Sequence, residues 1–467
     1  MVTASLRQPR LRNCETMERG RSSGTESFDS LPEANSCYET ETIMEEVAQS
    51  SRVPSTDGPF AAFRFRDFRL FWVGYFISQV GNSMQQMAMS WLLYDMTRSA
   101  LQLGLNGAFR AVPMIVLGLF GGTIADRFNR RRILFVTQTI LMLLAFLLGF
   151  LAQTGYVKVW HVYALTLLAA IVQSVDNPTR QALVPSLVPQ SALANAIALN
   201  SLLWKSTILL GPSLAGIAIS TVGTDGAFYA NALSFLAVVV ALFFMKSSSF
   251  GIVSAGGFMR DLLQGLSYVR TQKLILAIML MEAFSSVFGL DPAMLTIFSR
   301  DVLQVGATGL GFLQAARGLG AILGSAFLVS IGNARSQGKV LVYSAIVYGL
   351  SFALFGLSPY FFLSLGLLFV TGAADTIWGA VRSTILQTNT PDHLQGRVMG
   401  VFGLSSRGLS PLGQVETGLI VPVLGARETT FLGGSLVLCA SLLTVWRVPA
   451  IYRFRAKAQT APRTITP

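Results

Sequence analysis

Apolar segments of 20 or more residues recur between residues 70 and 447. Each is long enough to cross the hydrocarbon core of a bilayer, which is about 30 Å thick. Within lipid a helix satisfies its backbone hydrogen bonds internally, so such segments are helical and the sequence predicts an all-α membrane protein. Twelve transmembrane helices are expected, at residues 70–95, 101–125, 133–153, 159–181, 192–221, 226–246, 273–298, 307–331, 339–358, 360–382, 396–424 and 428–447.

The composition agrees with a membrane protein and excludes several soluble classes. Of the 467 residues, 52% are hydrophobic and 12% are charged, whereas about 25% of a soluble domain is charged. A net charge of +12 would indicate nucleic acid in a soluble chain. Here the arginines cluster beside apolar spans, so no nucleic-acid partner is expected. The three cysteines lack metal-ligand spacing, and we expect no metal, cofactor or catalytic motif, hence no enzyme.

Positive charge is unevenly distributed between the connections, and this predicts the orientation. Even-numbered connections and both chain ends carry most of the Lys and Arg. Because cytoplasmic loops retain these residues, both termini are expected on the cytoplasmic side of a cell membrane of bacterial inner-membrane type. Residues 1–60 are polar and aperiodic, which predicts a disordered cytoplasmic tail, either regulatory or the product of a start codon placed too early. Residues 450–467 form a second cytoplasmic tail.

The two halves of the chain repeat. Several residues recur at an offset of 202 positions: Arg180 and Arg382, Lys205 and Arg407, Gly122 and Gly324. A constant offset of this kind indicates a duplicated helical bundle. We therefore predict two pseudo-symmetric six-helix bundles at residues 61–246 and 273–449. A cytoplasmic linker at residues 247–272, with an amphipathic helix on the membrane surface, is expected to join them.

A short charged connection follows the second predicted span. It reads Gly-Thr-Ile-Ala-Asp-Arg-Phe-Asn-Arg-Arg-Arg from Gly122 to Arg132. The spacing Gly-x-x-x-Asp-Arg-x-x-Arg-Arg resembles the loop between helices 2 and 3 of the major facilitator superfamily. The segment from Asp176 to Pro189 is similar to the branch that includes enterobactin and macrolide exporters. The resemblance implies the major facilitator fold and a secondary transporter, usually one that exports amphipathic compounds in exchange for protons.

The resemblance also implies a cytoplasmic gate, in which Asp126 faces a helix N-terminus and an arginine pairs with an acid on helix 4. Asp176 lies about one and a half turns from the cytoplasmic end of the fourth span, within reach of the loop arginines. We expect Asp126, Arg130 and Asp176 to form a lock that favours the outward-facing state; alternatively, Asp176 contacts substrate or proton directly. Asn129 replaces the usual turn glycine and tolerates its left-handed backbone almost as well. The gate residues are Gly122, Asp126, Arg127, Arg130, Asp176 and Arg180.

Polar groups inside spans are costly unless they face a cavity or another helix, so each is a candidate site. The first span carries an amide stripe at helical spacing, which serves either substrate binding or hydrogen bonding between helices. Lys205 and Arg407 occupy equivalent places in the repeat; they favour an anionic or phenolate-bearing substrate, or nearby acids neutralise them. The candidate cavity residues are Gln79, Asn82, Gln86, Arg110, Lys205, Arg317 and Arg407.

Glu282 and Asp375 are the candidates for proton coupling, because a carboxyl group at mid-depth in a membrane can carry a proton. Alternatively, Arg317 pairs with Glu282 and that acid is structural. The chain has no P-loop, so ATP is not the expected energy source. We expect a monomeric secondary exporter of siderophore-like or drug-like small molecules, with a proton as coupling ion. A passive facilitator or lipid flippase of the same fold is the alternative.

Overall fold

A computed structural model of the chain describes residues 60–246, 258–331 and 336–454. Only the backbone is described at residues 118–127, 205, 258–262, 331, 392–393, 404, 407 and 453. All regular structure in the described ranges is helical, which confirms the prediction of an all-α protein for this part of the chain. The predicted tails fall almost entirely outside these ranges.

Short connections join successive helices. The helices are α1 Arg66–Thr97, α2 Ala100–Arg127, α3 Arg130–Gln153, α4 Val159–Leu183, α5 Gln190–Phe244, α6 Phe258–Thr271, α7 Lys273–Phe288, α8 Pro292–Ile297, α9 Gly306–Ile331, α10 Gln337–Leu357, α11 Phe361–Thr388, α12 Asp392–Gly403, α13 Ser410–Leu424, α14 Ala426–Arg447 and α15 Ala450–Arg453. Two π-helical segments, Phe298–Val302 and Leu404–Gly408, continue α8 and α12.

The long helix α5 is broken at Gly223. This residue has φ 78° and ψ 176°, a backbone region that side-chain-bearing residues rarely adopt. The break separates residues 190–222 from residues 224–244, close to the predicted boundary between the fifth and sixth spans. α5 therefore contains two helical segments, as the sequence predicts.

Nine helical segments among the described residues are long and apolar enough to cross a membrane, against twelve predicted. The difference arises at three places. α1 is too polar to qualify, and α5 counts once although Gly223 divides it. The predicted span 396–424 is interrupted by the π-helical segment Leu404–Gly408, which leaves two short helices.

The connections define two ends of the molecule. We call the end with the α1–α2 connection the Asp95 end, and the end with the α2–α3 connection the Arg130 end. At the Arg130 end, residues 60–246 (the first half) and residues 258–454 (the second half) each have their own buried apolar cluster. At the Asp95 end one cluster contains side chains of both halves, among them Leu92, Phe228, Phe298 and Phe355. Burial of apolar surface therefore joins the halves at the Asp95 end.

Two helix crossings connect the halves, α2 with α13 and α5 with α9. In each crossing a glycine lies against a glycine. A Cβ on Gly418 would lie 2.7 Å from the Cα of Gly104, and a Cβ on Gly216 would lie 2.7 Å from the Cα of Gly311. Because no side chain separates them, the helices approach to backbone contact.

The two crossings refine the sequence repeat. Gly216 and Gly418 are 202 residues apart (418 − 216), but their partners Gly104 and Gly311 are 207 apart (311 − 104). Helix starts show the same change, since α10 begins 207 residues after α3 (337 − 130) and α11 begins 202 residues after α4 (361 − 159). The extra residues lie in α3 and the connection after it.

One predicted equivalence is therefore wrong. Gly122 and Gly324 share the offset of 202, but they lie on α2 and α9, which correspond at the offset of 207. A shared offset between two glycines is weak support, because glycine is frequent in this chain, with 43 among 467 residues.

A helix, α6, occupies the predicted linker and packs against α12 of the second half. A Cβ on Gly265 would lie 2.7 Å from the carbonyl oxygen of Arg397. Val269, on the same helix, is 2% exposed within the apolar cluster of the second half. The linker helix is therefore held by direct packing against protein.

Candidate transport site

Asp176 lies buried on α4 in a polar cluster of the first half. Its carboxylate accepts hydrogen bonds from Thr137 Oγ1 at 2.6 Å and Gln138 Nε2 at 2.9 Å, both on α3. Arg180, one turn further along α4, donates from Nη1 at 3.3 Å. A buried carboxylate needs such partners, because water is absent to solvate it. The cluster thus ties α3 to α4.

Arg180 is only 6% exposed and also contacts aromatic rings. Its guanidinium lies 4.3 Å from the ring centroid of Tyr75 on α1 and 5.7 Å from that of Trp204 on α5. Cation–π contacts of this kind stabilise a desolvated guanidinium. Arg180 therefore links α4 to α1 and α5.

The arginines at the start of α3 bond to backbone carbonyls. Arg130 Nη1 donates to the carbonyl oxygen of Ala182 at 3.0 Å, and Arg131 donates to the carbonyl oxygens of Leu242 and Phe243 at 2.7 and 2.9 Å. Asn129 has φ −62°, so it does not adopt the left-handed turn that the sequence suggested. Its side chain instead caps α3 by accepting from two backbone N–H groups.

These contacts correct part of the predicted gate. Arg180, not Arg130, is the arginine that pairs with Asp176, because it lies on the same helix at a spacing of four residues and reaches the carboxylate directly. Gly122, Asp126 and Arg127 lie at the end of α2, where side chains fall outside the described part of the chain. Their role in a gate stays a prediction.

The second half carries an equivalent buried arginine, Arg382, at the offset of 202 from Arg180. It is 7% exposed, pairs with Glu282 of α7, and lies 4.8 Å from the ring of Trp378 and 5.3 Å from that of Phe402. In both halves a buried arginine thus combines one acid with two aromatic faces. We did not predict a role for Arg382, although the repeat offset marks it.

Arg317 and Asp375 form a second ion pair in the same half. Arg317 Nη2 on α9 lies 3.4 Å from Asp375 Oδ2 on α11. The expectation that Arg317 neutralises Glu282 is therefore wrong, because Arg382 is the partner of Glu282. The Asp375 side chain is 43% exposed and the Glu282 side chain 9% exposed, so Asp375 is the more accessible acid.

The predicted amide stripe on α1 divides between two roles. Gln86 Oε1 accepts a hydrogen bond from Arg110 Nη1 of α2 at 2.9 Å. Ser83 packs against Gly211 of α5, which is contact between helices. Gln79 is buried and Asn82 is half-buried on the same helix.

The two cations that suggested an anionic substrate lie at positions where only the backbone is described. Lys205 lies within α5 and Arg407 lies in the π-helical segment Leu404–Gly408. The side chains of both fall outside the described part of the chain. Their place in the cavity stays a prediction.

Polar contacts cross between the halves at the Asp95 end. Tyr94 donates a hydrogen bond to Asp301, and Asp95 pairs with Arg300. The guanidinium of Arg300 also lies 4.9 Å from the ring centroid of Trp91. The sequence analysis missed this cluster, because charges at span ends usually face water and carry no pattern that names their partners.

Comparison with known proteins gives one family. A family described as "Transmembrane secretion effector" matches residues 57–464. Macrolide efflux protein A of Streptococcus pyogenes is 21% identical over 382 residues, which cover 80% of this chain and 94% of that protein. The enterobactin exporter of Escherichia coli is 25% identical over 404 residues, which cover 85% of this chain and 94% of that protein.

Solved structures agree on the fold. A bacterial homologue of the human lysosomal transporter Spinster, inward-facing and unoccupied, superposes with a TM-score of 0.68 at 13% sequence identity. The match covers 84% of this chain and 99% of that one. The nucleoside transporter NupG superposes with a TM-score of 0.60 at 12% identity, covering 83% of this chain and 100% of that one.

Proposed function

The chain belongs to the transmembrane secretion effector family and is an efflux transporter of the major facilitator superfamily, and we propose that it exports amphipathic small molecules by alternating access in antiport with protons. It is a multi-pass protein of the bacterial cell membrane with a transport role rather than an enzymatic one. Its relatives are exporters of a macrolide and of enterobactin. Siderophore-like or drug-like compounds are therefore the substrates to test.

We propose twelve crossings in two six-helix bundles, at residues 61–246 and 273–449, with both termini and the Arg130 end in the cytoplasm. Support comes from the break at Gly223, the repeat at offsets of 202 and 207, and the charge of the Arg130 end. The separate apolar clusters at the Arg130 end support two bundles.

The observation that carries the proposal is the asymmetry between the two ends. The halves share an apolar cluster, two glycine crossings and the Asp95–Arg300 pair at the Asp95 end, whereas separate clusters occupy the Arg130 end. A transporter in this arrangement is closed to the outside and accepts cargo from the cytoplasm. Release outside then requires the Asp95 end to open, and closing of the Arg130 end to compensate for the lost contacts.

For coupling, we propose that Asp375 exchanges the proton and that Glu282 is the second acid of the relay. A proton on Asp375 neutralises the carboxylate and weakens its hold on Arg317; loss of the proton restores the ion pair. Ion pairs that form and break in this way give the two states different contacts, which a coupling mechanism needs. Glu282 is more deeply buried beside Arg382.

The test is transport in proteoliposomes that contain the purified full-length chain. Accumulation of enterobactin, erythromycin and carboxyfluorescein is measured with an imposed pH gradient and after an uncoupler collapses it. We expect gradient-dependent accumulation that Asp375→Asn abolishes while downhill exchange persists. Glu428→Gln, an exposed acid outside the core, is the control and should transport normally. Transport that ignores the gradient would replace the antiporter by a passive facilitator, and scrambling of a fluorescent phospholipid would indicate a flippase.

A further inference from the structure

We infer that Arg110 is the binding site for an oxyanion carried by the substrate, such as a carboxylate or phenolate. This inference rests on the proposed export function and narrows its substrate class. It starts from the pairing of the arginines that lie inside the helices.

Three of these arginines have an acid of the chain as partner. Asp176 pairs with Arg180, Asp375 with Arg317, and Glu282 with Arg382. Arg110 differs, because within the described part of the chain its only hydrogen-bond or ion-pair partner is the neutral amide of Gln86. A guanidinium inside a membrane protein that lacks a counter-charge is costly, so such residues mark functional sites.

The repeat shows what Arg110 lacks. Arg110 and Arg317 correspond at the offset of 207 that relates α2 to α9 (317 − 110). The acid that Arg317 binds, Asp375, corresponds to Gln173 at the offset of 202 that relates α4 to α11 (375 − 202). The first half therefore has an amide at the position where the second half has a carboxylate. Asp176 does not compensate, because Arg180 and two α3 side chains occupy it.

Arg110 also lies where cargo has to pass. It is about 15 Å along α2 from the start of that helix, which is near the middle of a bilayer core. Gly107, one turn before it, packs against Gln414 of α13, so this part of α2 lies at the seam between the two halves. Arg110 is half-buried. A guanidinium in this position can form paired charge-assisted hydrogen bonds to an oxyanion, with Gln86 as a neutral neighbour.

The experiment compares two dyes with the same xanthene frame and opposite charge. Equilibrium binding of carboxyfluorescein, an anion, and rhodamine 6G, a cation, is measured by fluorescence anisotropy on the purified chain without any gradient. We expect Arg110→Gln to weaken carboxyfluorescein binding by about tenfold or more and to leave rhodamine 6G binding within about twofold. Arg110→Lys should retain part of the affinity for the anion.

Arg98→Gln is the matched control, because Arg98 is an exposed arginine at the Asp95 end, with its side chain 60% exposed. It should bind both dyes like the wild type. The inference is overturned if the wild type does not bind carboxyfluorescein, if Arg110→Gln binds it normally, or if both dyes weaken equally. Should Arg110→Gln unfold, the comparison rests on Arg110→Lys, which must weaken only the anion. Because no transport is measured, these outcomes are independent of whether export is coupled to protons.

Discussion

The glycine crossings at the Asp95 end give the sharpest prediction. In Gly418→Ala, the new Cβ lies 2.7 Å from the Cα of Gly104 and 3.0 Å from the carbonyl oxygen of Ala100, both backbone atoms that cannot move aside as a flexible side chain would. Carbon atoms in contact prefer about 3.5 to 4.0 Å. The two helices must therefore separate by about 1 Å wherever the Asp95 end is closed.

The size of the effect follows from this overlap. Overpacking by one methyl group costs about 1–3 kcal/mol, and this cost falls on the closed state alone, because the crossing separates when the Asp95 end opens. The better helix propensity of alanine, about 1 kcal/mol, acts in both states and cancels. A bias of about 1–2 kcal/mol shifts the closed-to-open ratio by about 5- to 30-fold. Gly216→Ala should act alike through Gly311.

The assay is electron–electron distance measurement across the Asp95 end. Spin labels are attached at Ser99→Cys and Gln304→Cys, in a background whose Cys14, Cys37 and Cys439 are changed to serine. We expect the longer distances to gain population in Gly418→Ala. Gly366→Ala on α11 is the control, since nothing lies within 4 Å of its new Cβ. An unchanged distance distribution in Gly418→Ala would refute the crossing as a determinant of the closed state.

Three further predictions concern other contacts. Asp95→Arg or Arg300→Asp alone should slow export and the double exchange should restore it, because the pair forms across the halves; a double variant as slow as the singles contradicts this. Glu282→Gln should lower the thermal unfolding temperature more than Glu282→Gln combined with Arg382→Gln, because a single change leaves a buried charge without its partner at about 3–5 kcal/mol; equal temperatures contradict it. Gly338→Ala should release the short helix α15, whose carbonyl oxygen the new Cβ would overlap, and limited proteolysis should detect this as faster cleavage near the C-terminus.

Several features were predictable from the sequence because they depend on properties read along the chain. Apolar length predicted the helices and placed a break beside Gly223, where the structure has it. The duplication was visible as a constant offset, and it marked Arg180 and Arg382 as equivalent residues. Motif spacing indicated the superfamily that the whole-chain comparison then showed.

The partners of the buried charges were decided only by the tertiary structure. The sequence suggested Arg130 for Asp176 and Arg317 for Glu282, whereas the structure has Arg180 and Arg382 in those places. The partner depends on how each helix is rotated and on its register against its neighbours. At 1.5 Å and about 100° per residue, a shift of one position turns a side chain away from its neighbour. Packing of all the helices together sets that rotation, so no local pattern contains it.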